Sequence, residues 1–370
     1  MHVNIVGAGI IGLAIAFELQ SRAHTVTLID PAPGQGASYA AAGMLAPAAE
    51  TNWGHGELHQ LLAASNAAYP QFIERIESVT GHRPDYLQNS TLVVAAEPAD
   101  REALHELAEL QVSLGLCAQK LLPSQARKLE PALAANIAGA VLCEEDHQVD
   151  PRSILKILLA HLRPSLIEES VQALLTEGER TIGVRTVTGR ILEADQTILA
   201  TGLGTVEGLP HLPLRPVYGD ILRIQGPAGP PLITRTIRGI VHRDNVYLVP
   251  RKDGSLVLGA SVREDGQPAV NIGAMHNLLD NARKLVPGIS ECTLNEATAR
   301  ARPGTPDDRP LLGRLDPGLV LSTGYSRHGV LLTPLGARLT TDLIDGAEPG
   351  QFDQAVNPHR FATTTTLSTH

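Results

Sequence analysis

The 370-residue chain is poor in the features that mark several large classes of protein. It has no cluster of Lys and Arg, and its 39 acidic against 30 basic residues leave a net charge of −9. A basic stripe is the electrostatic footprint of nucleic-acid and anionic-membrane binding, so both are poor candidate partners. Only three cysteines occur, Cys117, Cys143 and Cys292, far apart and odd in number. That usage suits reduced thiols in a cytoplasmic protein and excludes a zinc-type cluster. No apolar run reaches the roughly 18 residues that cross a bilayer. The nearest, 5–17, has no basic residue before it and no small-residue cleavage site at the proper distance after it, so it does not read as a signal peptide. Internal repeats are absent. The one low-complexity stretch is the Thr-rich tail 361–370, which is expected to fray.

What is present begins inside that apolar run. "NIVGAGIIGLAIAFELQ" (4–20) sets Gly7, Gly9 and Gly12 in the G-x-G-x-x-G spacing. Residues 3–6 read as a buried strand and 10–20 as a helix with Ile11, Ala14, Ile15 and Leu19 on its apolar face. Gly7 permits the tight turn, Gly9 lets the backbone approach a pyrophosphate, and Gly12 lets helix and strand pack closely. Amides at the helix start, with the positive end of the helix dipole behind them, suit a phosphate. A second strand ends at Asp30, eighteen residues after Gly12, where a carboxylate can accept from ribose hydroxyls. The same charge repels a 2′-phosphate. The cofactor is therefore expected to be FAD or NAD, not NADP.

Helical periodicity returns over 58–77, 100–114, 151–162 and 275–285, and strands are expected at 91–95, 137–142, 197–200, 220–224, 245–249, 256–259 and 320–321. "DQTILATG" (195–202) is an apolar strand whose small end, with Thr201 and Gly202, leaves room for a cofactor. "VLSTGYSRHGVLLTP" (320–334) reads as strand, glycine turn and a helix from about Val330. The pattern is α/β at the start and strand-rich in the middle. It implies a discontinuous nucleotide-binding domain (1–80, 145–210 and 300–370) interleaved with a substrate domain (81–144 and 211–299).

Four further blocks carry a resemblance: "GASYAAAGMLAPAAE" (36–50), "VYLVPRKDG" (246–254), "ARPGTPDDRPLLGR" (301–314) and "GYSRHGVLLTPLG" (324–336). In order and spacing they resemble the D-amino acid oxidase and glycine oxidase group of flavoproteins. The resemblance implies a Rossmann-type FAD-binding domain with a substrate domain on a large antiparallel β-sheet, and noncovalent FAD. Relatives that attach flavin covalently use a cysteine shortly after the arginine-proline block, and no cysteine follows Cys292 here. Carried over by position, Ile10 and Ile11 meet the pyrophosphate and Asp30 and Pro31 the adenosine. Ala37, Ser38, Ala42, Gly43 and Met44 meet the flavin side, and Val171 lies near the adenine. Tyr325, Ser326, Arg327, His328, Gly329, Val330 and Leu331 wrap the flavin ring.

A small amino acid presents a carboxylate, which a planar guanidinium grips bidentately. Arg302, stiffened by Pro303, matches the family's carboxylate-binding arginine, and Tyr247 and Arg327 match two further substrate contacts. An isolated arginine is most often a surface charge or an ion pair; the matching blocks set these apart. His55 and His59 in "HGELH" do not form H-E-x-x-H, and no metal is expected. His328 reads as a loop-facing polar residue rather than a base, and nothing in the spacing assigns Trp53. The activity implied is oxidative deamination of glycine, with oxygen as acceptor and peroxide as product, serving thiazole synthesis for thiamine; no side-chain acid or base is required. D-amino acid or sarcosine oxidation differs only in pocket volume. A quinone-linked dehydrogenase would need a membrane-facing segment, a non-enzymatic flavin subunit would not need Arg302, Tyr247 and Arg327, and an RNA-modifying flavoprotein would want a basic face. The resemblance implies a homotetramer.

Overall fold

The computed structural model describes residues 1–242 and 244–361; the Thr-rich tail from 362 lies outside the described residues. The first strand, β1 (His2–Val6), leads through the glycine turn into α1 (Ile10–Ser21) and then β2 (Thr25–Ile29). β1 pairs in parallel with β2 on one side, Ile5 opposite Leu28, and with Gln196–Leu199 on the other, Ile5 opposite Ile198. Leu319–Thr323 adds a fourth parallel strand beside Gln196–Leu199, Leu311–Asp316 closes that edge antiparallel, and Leu166–Ile167 lies at the other edge beyond β2. Four of the six strands thus come from distant parts of the chain.

The expected apolar face of α1 is buried, but so is every residue from Ile10 to Leu19. The helix packs against both Pro151–Leu162 and Thr333–Ile344, so it has no solvent side in this stretch. The one acid among those residues, Glu18, is neutralised by Arg75 at 2.8 Å. A helix apolar all round is a buried helix.

The second sheet has eight strands in the order Thr293–Gly304, Arg215–Gln225, Ser255–Gly259, Asp244–Pro250, Thr236–Val241, Thr91–Ala95, Gly139–Cys143 and Gln119–Leu121. All neighbours are antiparallel except one pair. Thr236–Val241 runs parallel to Thr91–Ala95, Ile237 opposite Leu92, where two antiparallel ribbons meet. Its face carries Leu92, Val94, Leu222, Leu248 and Leu258 into a core closed by the helix Ile272–Leu285.

The expected helices are found at Gly56–Thr80, Pro98–Ser113, Pro151–Leu162 and Ile272–Leu285. The expected strand at 220–224 extends to eleven residues, Arg215–Gln225. The helix expected from Val330 begins instead at Thr333. Residues before it form turns: Ser326 has φ +49°, and the His328 amide donates to the Tyr325 carbonyl. Three strands, Val171–Glu177, Arg180–Thr186 and Ile191–Glu193, form a small separate sheet whose Val184 packs on Val6, Ile29 and Leu199.

Candidate active site

A cavity of about 680 Å³ lies where the start of α1 faces the eight-stranded sheet, within the size range of cofactor and ligand pockets. Its phosphate-like end is made of backbone. Gly7 adopts φ +105°, and a Cβ there would sit 2.7 Å from the Ala200 carbonyl carbon. A Cβ on Gly12 would strike the Gly7 carbonyl oxygen, so only glycine lets α1 seat this close to β1. First-turn amides of a helix lack intrahelical acceptors. That of Ile10 is held by Ser38 Oγ at 3.0 Å, and Gly9, Ile10 and Ile11 all line the cavity. Asp30 lines it too; its oxygens accept from the Ala8 amide at 2.6 Å and the Ala32 amide at 2.7 Å, which fixes the carboxylate while leaving lone pairs for a ligand hydroxyl.

One wall is the 36–44 segment. Ala37, Ser38, Ala42, Gly43 and Met44 all line the cavity, and all but Met44 have small side chains that keep it wide. Arg251, buried on the far side, holds this wall by donating to the Ala42 carbonyl and to Gln148 Oε1, each at 2.6 Å. Thr201, Gly202 and residues 325–331 line the opposite side. The Tyr325 hydroxyl is buried and bonded to Ser322 Oγ at 2.9 Å. Of the sequence-predicted cofactor residues, Gly12, Pro31 and Val171 do not line the cavity. Gly12 packs under the turn, Pro31 is exposed, and Val171 is partly buried on the small separate sheet. Trp53 is 64% exposed and also stands outside the lining, as do all three cysteines.

The substrate-like end is built from side chains. Arg302 lies on Thr293–Gly304, paired with Val217 of the neighbouring strand. Its guanidinium lies against Gly219, where a Cβ would come within 2.6 Å of Cζ. The hydrogen bonds recorded for it are long ones, 3.5 Å each, to the Tyr218 and Ser261 carbonyls, and no carboxylate among the described residues pairs with it. Tyr247 faces the same space from Asp244–Pro250, its hydroxyl over Gly259, which again has no room for a Cβ. Burial pushes this phenol up to about 12, with Arg302 opposing, so it stays protonated and can donate.

Three residues here escape a reading of the sequence. Glu50 ends the "GASYAAAGMLAPAAE" block and is its only charged residue, the one signal available. Its carboxylate pairs with Arg238 and lies 3.3 Å from Arg327 Nε. Burial would raise its pKa, but Arg238 and Arg327 hold it at about 2. Arg238 sits directly across from Tyr247 in the sheet. Beneath the loop, Asp146 is fully buried and accepts from the Ala48 and Ala49 amides at 3.0 and 2.8 Å, fixing the segment that carries Glu50. His328 is 2% exposed; burial lowers it to about 4, and the neutral ring accepts from Arg327 Nε at 3.2 Å.

The donor set fits a flavin dinucleotide: a helix start without side chains in the way, a fixed acid beyond it and a wall of small residues. The comparisons agree. A family model described as FAD dependent oxidoreductase matches residues 2–343. The bifunctional protein ThiO/ThiG of Trichormus variabilis is 32% identical over 377 residues, covering 100% of this chain and 57% of the relative. The chain thus spans little more than half the length of such relatives. The glycine oxidase of Geobacillus kaustophilus is 31% identical over 365 residues, 95% of each chain. The crystal structure of glycine oxidase from that organism superposes with a TM-score of 0.87 at 30% identity, over 97% of this chain and 98% of the other. The chain belongs to the DAO family of FAD-dependent oxidoreductases.

Proposed function

We propose that this protein oxidises glycine with oxygen as acceptor, giving the imine and hydrogen peroxide, and that the imine either hydrolyses to glyoxylate and ammonia or is taken up in thiazole synthesis for thiamine. The observation that carries this is Arg302, a guanidinium at the cavity wall with no carboxylate partner among the described residues. Relatives named glycine oxidase and ThiO support the same substrate.

In this reading Gly9, Ile10 and Ile11 meet the FAD pyrophosphate, the Ile10 amide exchanging Ser38 Oγ for a phosphate oxygen, and Asp30 receives the ribose. Ala37, Ser38, Ala42, Gly43, Met44, Thr201, Gly202 and the 325–331 turn enclose the remainder. Assignment of Pro31 and Val171 to the adenosine rests on the family resemblance alone. The cofactor is taken to be noncovalent: no cysteine lines the cavity, and the family resemblance implies the same. When bound, FAD supplies a two-electron acceptor that takes hydride from the substrate carbon and passes the electrons to oxygen.

The chain's own residues bind and orient. Arg302 grips the substrate carboxylate and Tyr247 donates to it, turning the amine-bearing carbon towards the flavin side. His328 is held neutral, and its accepting nitrogen is occupied by Arg327 Nε, so it has no free lone pair to act as a base on the amine. The amine reacts as its free base, its ammonium proton passing to solvent, and the nearby guanidinium of Arg302 favours that neutral form. No helix of the described residues is long and apolar enough to cross a membrane; a cytoplasmic homotetramer is part of the proposal, checked by light scattering.

The test is direct. Purified protein is expected to be yellow, to release FAD on acid or heat treatment, and to evolve peroxide fastest with glycine among glycine, sarcosine, D-alanine and D-proline. Flavin that stays with the denatured chain would falsify noncovalent binding. A faster rate with any of the other three amines reassigns the substrate.

A further inference from the structure

The cavity holds more positive charge than one carboxylate needs. Arg215, Arg238, Arg300, Arg302 and Arg327 all line it. Two of these are turned to other work: Arg215 pairs with Glu264 at 3.2 Å, and Arg300 donates to the Gln35 carbonyl beside the 36–44 wall. Of the remaining three, Arg238 sits directly across from Tyr247 in the sheet, and Arg302 and Arg327 line the cavity with it. Arg302 lies on one side without a carboxylate partner among the described residues. Arg238 and Arg327 share Glu50, whose side chain is 11% exposed.

We propose that Glu50 is a specificity-determining carboxylate: by claiming Arg238 and Arg327 it leaves Arg302 to take a ligand's carboxylate alone, so the site accepts monocarboxylates and turns dicarboxylates away. A second carboxylate entering beyond Tyr247 would meet a fixed negative charge that Arg238 and Arg327 Nε already face. Loss of that charge would leave the half-buried Arg238, and the more exposed Arg327 beside it, without their carboxylate, which a dicarboxylate supplies. The geometry holds Glu50 to this place. Asp146 binds the Ala48 and Ala49 amides, and Gln111 Nε2 donates to the Ala48 carbonyl at 2.8 Å, so the loop cannot easily swing the carboxylate out. The inference deepens the reading of Arg302 as the substrate anchor and rests on it.

The experiment titrates the FAD-loaded enzyme with acetate and with malonate, following the flavin absorption change to obtain two Kd values. In the parent, acetate is expected to bind more tightly than malonate. In Glu50→Gln the malonate-to-acetate affinity ratio is expected to rise by about tenfold or more, the scale of one close charge interaction. A smaller rise overturns the proposal. Glu50→Asp keeps the charge and is expected to hold the parent ratio within about threefold; a rise as large as that of Glu50→Gln also overturns it. Should the neutral variant not fold, Arg327→Gln, which removes a cation and leaves Glu50, is expected to lower the ratio, and a rise there is equally fatal. The anchor reading is tested separately by acetate alone: an unchanged acetate Kd in Arg302→Ala refutes that reading, whatever the ratio does at Glu50.

Discussion

The two ends of the cavity are made by opposite means. At the α1 end the chain presents backbone: amides, glycines and one carboxylate, all within the first thirty residues. At the eight-stranded end it presents side chains from positions as far apart as Glu50, Arg238, Tyr247, Arg302 and Arg327. A backbone site needs an empty space beside the chain, and one short stretch can specify that. A side-chain site needs several strands in register, and it can be altered one residue at a time without moving the others.

The largest effect should come from blurring that difference at Gly12. Gly12→Val places a branched side chain against the Gly7 carbonyl, backbone that cannot yield, so soluble folded protein should be lost on expression. A folded, yellow Gly12→Val protein would mean that α1 can retreat from β1. Gly9→Val is the milder counterpart. Gly9 has an ordinary φ of −73°, and a Cβ there meets only Ser38 Oγ at 3.4 Å, so the fold should survive while flavin content collapses. Circular dichroism and the flavin-to-protein absorbance ratio separate the two outcomes.

Substitution at the other end should spare the cofactor. Arg302→Ala leaves a substrate carboxylate unpaired in a desolvated site, a loss of roughly 2–5 kcal/mol, or about thirty-fold to several thousand-fold in kcat/KM for glycine. The flavin spectrum should hardly change, and Arg302→Lys should recover only part of the loss because the planar fork is gone. If glycine and an uncharged amine weaken equally, the carboxylate anchor lies elsewhere.

The smallest effect is one of pH. Burial raises Asp146 to about 7, against an ordinary value of 3.8, while burial lowers His328 to about 4 from 6.5. For Asp146 the folded state holds the proton more tightly, so its contribution is complete below about 4 and is lost as pH rises through 7. For His328 the contribution is complete above about 6.5 and is lost as pH falls through 4. The two oppose each other between those limits. Asp146→Asn removes one of them, so its Tm relative to the parent should rise as pH goes from 4 to 7. A difference in Tm that stays flat across that range would show that Asp146 does not hold its proton in the folded state.

The strand-turn-helix of the first thirty residues was legible because its signal is contiguous: apolar period, glycine spacing and terminal acid fall in one window. The strand Thr293–Gly304, which carries Arg302, was not. It is an edge strand, exposed over much of "TLNEATA", and lacks the apolar alternation that marks a strand. The Thr333 start of the last long helix was blurred because Val330, Leu331 and Leu332 are apolar and buried like helix residues, yet belong to a turn. Glu50 and Arg238 lie 188 residues apart in the chain, and as single charges neither announces the other. Resemblance located the blocks that hold Arg302, Tyr247 and Arg327; only the folded structure showed that Arg327 faces a carboxylate, Glu50.

The order of strands around β1 bears on how a nascent chain can fold. Gln196–Leu199, wholly buried in the finished protein, has β1 on one side and Leu319–Thr323 on the other. Until the later strand has left the ribosome, more than a hundred residues afterwards by sequence number, that apolar edge is open to any passing strand. Chains released before residue 319 should therefore be cut readily by protease near 196–199 and should associate with one another, whereas chains whose residues 319–323 have cleared the ribosome should resist. The last parallel strand is both a piece of the sheet and the cover that ends a long interval of exposure during synthesis.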